Sequence, residues 1–281
     1  MDVTAGVPAV LDAGRDGRHG SHRRPTPAWV RSMWYWLYQY KRTWRGSITT
    51  SFLYPVLYLT AMGLGLGSLV DHHVHVVGGE ASYLDFLAPG LLAATAMQIG
   101  GNEAMYPVMA AIKWLRTYFA MLATPLSVID ILLGHLAWIA LRLSMVTSIY
   151  LAIMAAFGTV QSAWAVLAIP AGVLTGMAFA APIAAFAATQ KNDTGFSTIY
   201  RFGMIPLFLF SGVFFPIAQL PGWLQPVAQA TPLYHGVALC RGLVSGHLGA
   251  GAALAHLTYL VALTAVGVVL AAGTYRRRLV T

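Results

Sequence analysis

The sequence predicts an all-α, polytopic membrane protein with six transmembrane helices, and three observations carry that prediction. Of its 281 residues, 58% are hydrophobic and only 9% charged, against about 25% charged in soluble domains, so water is not its main solvent. The apolar residues fall into six blocks, each long enough at about 1.5 Å per helical residue to cross, or nearly cross, about 30 Å of hydrocarbon. Lys and Arg gather on alternate connections between those blocks, which is the asymmetry that sets membrane orientation. The net charge of +8 is therefore read as topology and not as a nucleic-acid surface. The single cysteine, Cys240, can form no intrachain disulfide and has no neighbour at zinc-ligand spacing.

Residues 1–28 carry Arg15, Arg18, Arg23 and Arg24 among glycines and hold no long apolar core. They bury too little to fold and read as a disordered, basic cytoplasmic tail, leaving 29–281 as the membrane domain. Over 29–45, Trp29, Met33, Trp36, Tyr40 and Trp44 recur at helical spacing while Arg31, Lys41, Arg42 and Arg45 supply charge. This predicts an amphipathic helix lying in the membrane interface, with an aromatic belt capping the first span as the plainer alternative. The spans follow at about 48–68, 85–108, 128–157, 164–189, 199–216 and 252–273, the fifth being shortest and containing Pro206. Gly63 and Gly67 give the first span a small-xxx-small pattern suited to close helix contact. Fifteen of the seventeen Lys and Arg stand at one end of this arrangement: the tail through Arg45, Lys113 and Arg116, Lys191 and Arg201, and Arg276–Arg278. By the positive-inside rule that end and both termini are cytoplasmic, at the inner membrane.

Two connections are more than links. After the second span, Ile112, Leu115, Phe119 and Leu122 fall on one helical face and Lys113, Arg116 and Thr117 on another, predicting a short amphipathic cytoplasmic helix. Pro125 stops it, and Ser127 with Asp130 three residues on fits a capping-box start for the third span; helix, break and helix make a lever. Between spans five and six, 211–243 is apolar yet holds Pro216, Pro221, Pro226 and Pro232. No straight helix carries so many interior prolines, so short helices dipping into the outer leaflet are expected.

Chemistry is sparse. No G-x-x-x-x-G-K-[ST] phosphate cradle, H-E-x-x-H or G-x-S-x-G occurs, so an ATP-driven machine would need its ATP on another subunit. Glu103, late in the second span, and Arg142, midway along the third, are ionisable groups at membrane depth, which are rare and usually functional. Counted from the intervening turn, Glu103 lies only several ångströms in and Arg142 about 20 Å. A direct pair, an Arg142 facing a polar cavity, and purely structural roles all stay open. His72, His73 and His75 beside Asp71 have metal-like spacing in an outer loop, where a solvated loop is the default and no metal site is assigned.

Over 103–142 and 211–243 the sequence resembles the ABC-2 superfamily of exporter permeases, in particular the branch of nodulation lipo-oligosaccharide and daunorubicin-type drug exporters. The residues that carry the resemblance are Glu103, Arg116-Thr117, Ala120-Met-Leu-Ala-Thr-Pro-Leu-Ser127, Asp130, Gly134 and Trp138 in the first stretch. In the second they are Ser211-Gly-Val-Phe-Phe-Pro216, Leu220-Pro221, Pro232-Leu-Tyr-His235 and Arg241. The resemblance implies paired permeases, as a homodimer or with a second permease, above two ATPase subunits that carry the ATP and Mg; this chain would bind no cofactor. It implies that Lys113, Trp114, Leu115, Arg116, Thr117, Tyr118 and Phe119 couple to ATPase closure. It also implies a route lined by spans one, two and five beneath an outer gate of Phe214, Phe215, Pro216, Leu220, Pro221, Tyr234 and His235. One departure is His135, where relatives often carry an acidic residue, and no role is assigned to it.

The expected function is thus the non-catalytic, membrane-spanning permease of an ATP-binding cassette exporter moving an amphipathic drug, lipid or lipo-oligosaccharide among membrane lipids. An ion-coupled secondary transporter is the alternative, though it would call for more than one carboxylate at depth and often for inverted repeats. A lipid-modifying membrane enzyme would need convergent Asp, His or metal ligands at one face, and the sequence offers none.

Overall fold

The computed structural model describes residues 27–61, 73–76 and 79–280. Residues 1–26 of the tail expected over 1–28, the Gly63/Gly67 pair and His72 lie outside the described residues. Ten α-helices and one β-hairpin account for the regular structure among those described.

Helix α1 runs unbroken from Ala28 to Leu59. The interfacial helix expected over 29–45 and the start of the span expected at 48 are thus one rod. Gly46 is the lone weak point between them, and one glycine in a helix costs only about 1 kcal/mol, too little to outweigh continuous packing. Ser32 meets Ile131, Trp36 meets His135 and Tyr40 meets Trp138, so this part of α1 runs lengthwise beside the third-span helix, in the same direction.

A two-stranded antiparallel hairpin, β1 (His73–Val76) and β2 (Gly79–Ser82), occupies part of the expected outer loop and qualifies the all-α description. Helix α2 spans Tyr83–Met109 and continues through a wider π-type turn at Ala110–Trp114. Arg116 then takes a left-handed conformation, φ 52°, before the short helix α3, Thr117–Leu122. Helix α4, Val128–Ala156, opens with the expected capping box: Asp130 N–H donates to Ser127 Oγ and Ser127 N–H to Asp130 Oδ2. A 3-10 turn at Ala163–Leu167 leads into α5, Ala168–Thr189.

Helices α6 (Thr194–Ile199) and α7 (Ile205–Phe210) are joined by a second π-type turn, Tyr200–Met204. This rod begins five residues before the expected fifth segment and ends six before it, because Gly212 at φ 80° turns the chain out of the helix. The proline-rich stretch forms a 3-10 turn at Ile217–Gln219 and the helices α8 (Leu224–Gln229) and α9 (Pro232–Ser245). Helix α10 closes the chain at Ala250–Val280.

Among the described residues, three helices are long and apolar enough to cross a membrane by length and composition: Val128–Ala156, Ala163–Thr189 and Ala250–Val280. Helix α10 turns much of its surface outward, with Leu254, Val261, Val266, Val269 and Leu270 exposed, as expected where lipid and not protein covers apolar side chains. Helices α2 and α5 form the centre. Where they cross, a Cβ on Gly100 would collide with the Gly176 backbone, so small residues there set the interhelical distance. Gly134 does the same for α4 against Ser32 and the Trp29 carbonyl of α1.

Candidate functional site

The polar and conformationally unusual groups collect in three places along the bundle. The first is the end bearing Lys113, Lys191 and the last turn of α10, hereafter the basic end. Here the π-type turn and left-handed Arg116 break the helix and reset its phase. Leu115, expected on the buried face, is 61% exposed, and Trp114 is 55% exposed. The side chain that seats α3 is Tyr118, fully buried. Its hydroxyl and His135 Nδ1 share a 2.8 Å hydrogen bond, and its ring packs on Trp36 and Tyr275 at 6.4 and 5.8 Å between centroids. Trp36 in turn stacks on His135 at 4.1 Å.

One side chain of α3 therefore touches α1, α4 and α10. Burial, then the neighbouring Tyr275, raises the Tyr118 phenol well above its ordinary pKa, so it stays neutral. Trp36 Nε1, Thr117 Oγ1 and His135 Nε2, all buried at this junction or its edge, have no hydrogen-bond partner among the described residues, while the Tyr118 and Tyr275 hydroxyls interact with each other. Lys113, Trp114, Leu115 and Arg116 face outward around it, with Lys113 Nζ donating to the Lys191 carbonyl at 2.6 Å and the Arg116 guanidinium over the Phe119 ring.

The second place lies along the helices, where Glu103 of α2 and Arg142 of α4 form an ion pair. Trp138 Nε1 also donates to Glu103 Oε2 at 3.3 Å, and Arg142 lies over the Tyr40 ring. The mismatch in depth counted from sequence disappears because the second-span helix continues to Trp114. Glu103 is then about 17 Å from that helix end and Arg142 about 21 Å from the start of α4, within reach of two long side chains.

The third place is the opposite end. Arg241 of α9, an exception to the charge asymmetry and one of the residues that carry the family resemblance, donates from Nε to the Phe86 carbonyl at 3.1 Å. Its Nη2 donates to the Gly212 carbonyl at 2.9 Å, and its guanidinium stacks on the Phe86 ring at 3.7 Å. It thereby ties α9, the start of α2 and the turn after α7. Ser211 and Thr231 hydroxyls hydrogen-bond at 3.0 Å and close the proline-rich excursion on itself.

The expected gate residues divide into two groups. Phe214 packs edge-on to Phe208 while its carbonyl accepts from Tyr83 OH. Tyr234 and His235 sit instead with His256 and Tyr259 of α10. Leu220 is buried, Phe215 and Pro216 are half-buried and Pro221 is exposed. The His235–His256 contact, 2.8 Å between Nδ1 atoms, carried no sequence signal, since 21 residues separate the two.

A groove of about 180 Å³ opens between the basic end of α2 and the α6–α7 rod, with Asn102, Tyr106, Phe196, Tyr200 and Arg201 on its walls. Among the described residues no group of three or more His, Cys, Asp or Glu is placed to hold a metal ion.

Comparison with known proteins adds two findings. Residues 30–244 match the family described as ABC-2 type transporter. The chain is also similar to Nodulation protein J of Rhizobium meliloti (strain 1021), 31% identical over 257 residues that cover 88% of this chain and 94% of that protein. Nodulation protein J of Rhizobium leguminosarum bv. trifolii is 35% identical over 193 residues, 69% of this chain and 72% of that protein. That of Sinorhizobium fredii (strain NBRC 101917 / NGR234) is 30% identical over 255 residues, 88% and 95%.

Proposed function

This chain belongs to the ABC-2 type transporter family, a multi-pass membrane subunit, and from that premise we propose that it is the export permease of an ATP-binding cassette transporter whose ATPase is a separate polypeptide. Two ATPase subunits, carrying ATP and Mg, dock at the basic end, which faces the cytoplasm together with both termini at the inner membrane. Two permeases pair, as a homodimer or with a second permease. The six spans are α1, α2, α4, the α5 rod, the α6–α7 rod and α10.

The observation that carries this reading is the broken, outward-facing segment Lys113–Arg116 joined to a buried Tyr118. A docking subunit can press on exposed Trp114 and Leu115, and Tyr118 passes the displacement to α1, α4 and α10. ATP binding favours whichever permease conformation lets the paired ATPases close, and it acts only through these contacts. Spans one, two and five line the route, and 211–235 is its outer closure. The transported molecule is amphipathic, a drug, lipid or lipo-oligosaccharide, which suits a path of apolar walls with few polar anchors.

The ion-coupled alternative is less supported, because Glu103, the carboxylate at depth, is engaged by Arg142 and Trp138. The test is co-reconstitution with the candidate ATPase in vesicles. The permease is expected to stimulate ATP hydrolysis, and transport is expected to persist with a proton uncoupler at constant ATP. Loss of transport on uncoupling, with ATP hydrolysis unaffected by the permease, contradicts the reading.

A further inference from the structure

We propose that the groove between α2 and the α6–α7 rod is the site that takes the anionic headgroup, a phosphate, sulfate or carboxylate, of the transported amphiphile. The inference rests on the export reading above and gives its substrate a chemical class. At about 180 Å³ the groove is smaller than the roughly 300–1,000 Å³ of pockets that enclose whole drug-sized ligands. It therefore suits a headgroup and not a complete molecule.

Its walls combine one cation with neutral polar groups. Arg201 stands in the π-type turn, a distortion that often marks functional positions. It forms no ion pair with a carboxylate among the described residues. Glu103 itself is turned to α4, so the nearby acid on α2 does not neutralise the groove. A guanidinium offers a planar fork of donors that matches an oxyanion, and the Asn102 amide on the α2 side and the Ser197 hydroxyl on the α6 side add neutral donors. Tyr106 and Phe196 meet edge-on at 5.3 Å and supply the apolar side.

The groove also has a continuation. Phe202, Ile205 and Leu209 follow Arg201 at helical spacing and are 80, 42 and 43% exposed. An alkyl chain can lie along that stripe while its head remains at the basic end. This arrangement of a cation at the mouth and an apolar track beyond it distinguishes an amphiphile from a free anion.

Native mass spectrometry of the full chain in a maltoside detergent tests this without an ATPase. Dioleoyl phosphatidic acid is expected to bind about tenfold tighter than dioleoylglycerol, which has the same chains and no anion. Arg201→Gln should lose most of that preference, Arg201→Lys should keep most of it, and Arg276→Gln should leave it unchanged. Inorganic phosphate alone should not displace the lipid at millimolar concentration. Equal binding of the two lipids, an unaffected Arg201→Gln variant, or full displacement by inorganic phosphate overturns the proposal. Because no ATPase is present, loss of the preference in Arg201→Gln would stand even if the chain failed to stimulate its partner, and the two readings fail separately.

Discussion

The two ends of the bundle are held together by different means. At the opposite end a charged side chain, Arg241, is tied to two backbone carbonyls and stacked on Phe86. At the basic end α3 is seated by aromatic contacts and a hydroxyl–imidazole hydrogen bond, with no charged side chain holding it. On the export reading proposed above, the aromatic junction of α3 is the part that moves and the Arg241 clasp the part that stays fixed.

Substitutions can break or sharpen that contrast. The largest effect belongs to Arg241→Met, which removes the hydrogen bonds to the Phe86 and Gly212 carbonyls. Hydrogen bonds to a charged group contribute about 1.5–3 kcal/mol each, so a loss of roughly 3–6 kcal/mol is expected, read as a lower thermal midpoint in detergent. Next come Glu103→Gln and Arg142→Gln, each expected to cost about 2–4 kcal/mol by leaving one partner at depth alone. The double variant Glu103→Gln/Arg142→Gln should cost less than the two singles added together, and additivity would show that the pair is not coupled.

Tyr118→Phe ranks third. It should destabilise the chain by only about 1 kcal/mol yet lower stimulation of a co-reconstituted ATPase severalfold, because the bond it removes links the lever to α4. Equal loss of stability and coupling at Arg241 and Tyr118 would erase the distinction between the ends. The smallest effect concerns Arg116, whose φ of 52° is left-handed. Arg116→Gly should be more stable than Arg116→Ala by about 1 kcal/mol, since only glycine takes that conformation freely.

Much of this was legible in the sequence where one physical signal dominated. Long apolar blocks placed α2, α4, α5 and α10 within a few residues, apart from an α10 extended by its basic end, and the Ser127–Asp130 spacing gave the start of α4. What escaped depended on contacts between distant segments. Periodicity put Leu115 on a buried face, but the left-handed Arg116 resets the helical phase and gives that place to Tyr118. The charge count treated Arg241 as an exception, while its carbonyl partners lie 155 and 29 residues away in the chain. For Glu103 and Arg142 a direct pair was one of three readings left open, and the continuation of α2 to Trp114 matches their depths. The separate interfacial helix and first span merged because nothing between them breaks a helix strongly enough.

The central claim is that Lys113–Arg116 is the surface on which the ATPase acts. Cys240 is buried and does not compete in thiol chemistry, so single cysteines can be placed on the native chain. With the ATPase bound in vesicles, Trp114→Cys and Leu115→Cys are expected to cross-link to it through a short bifunctional reagent, with yield changing on addition of ATP. Trp223→Cys at the opposite end should not cross-link. An ATPase that joins at position 223, or at neither 114 nor 115 while still being stimulated, would contradict the account.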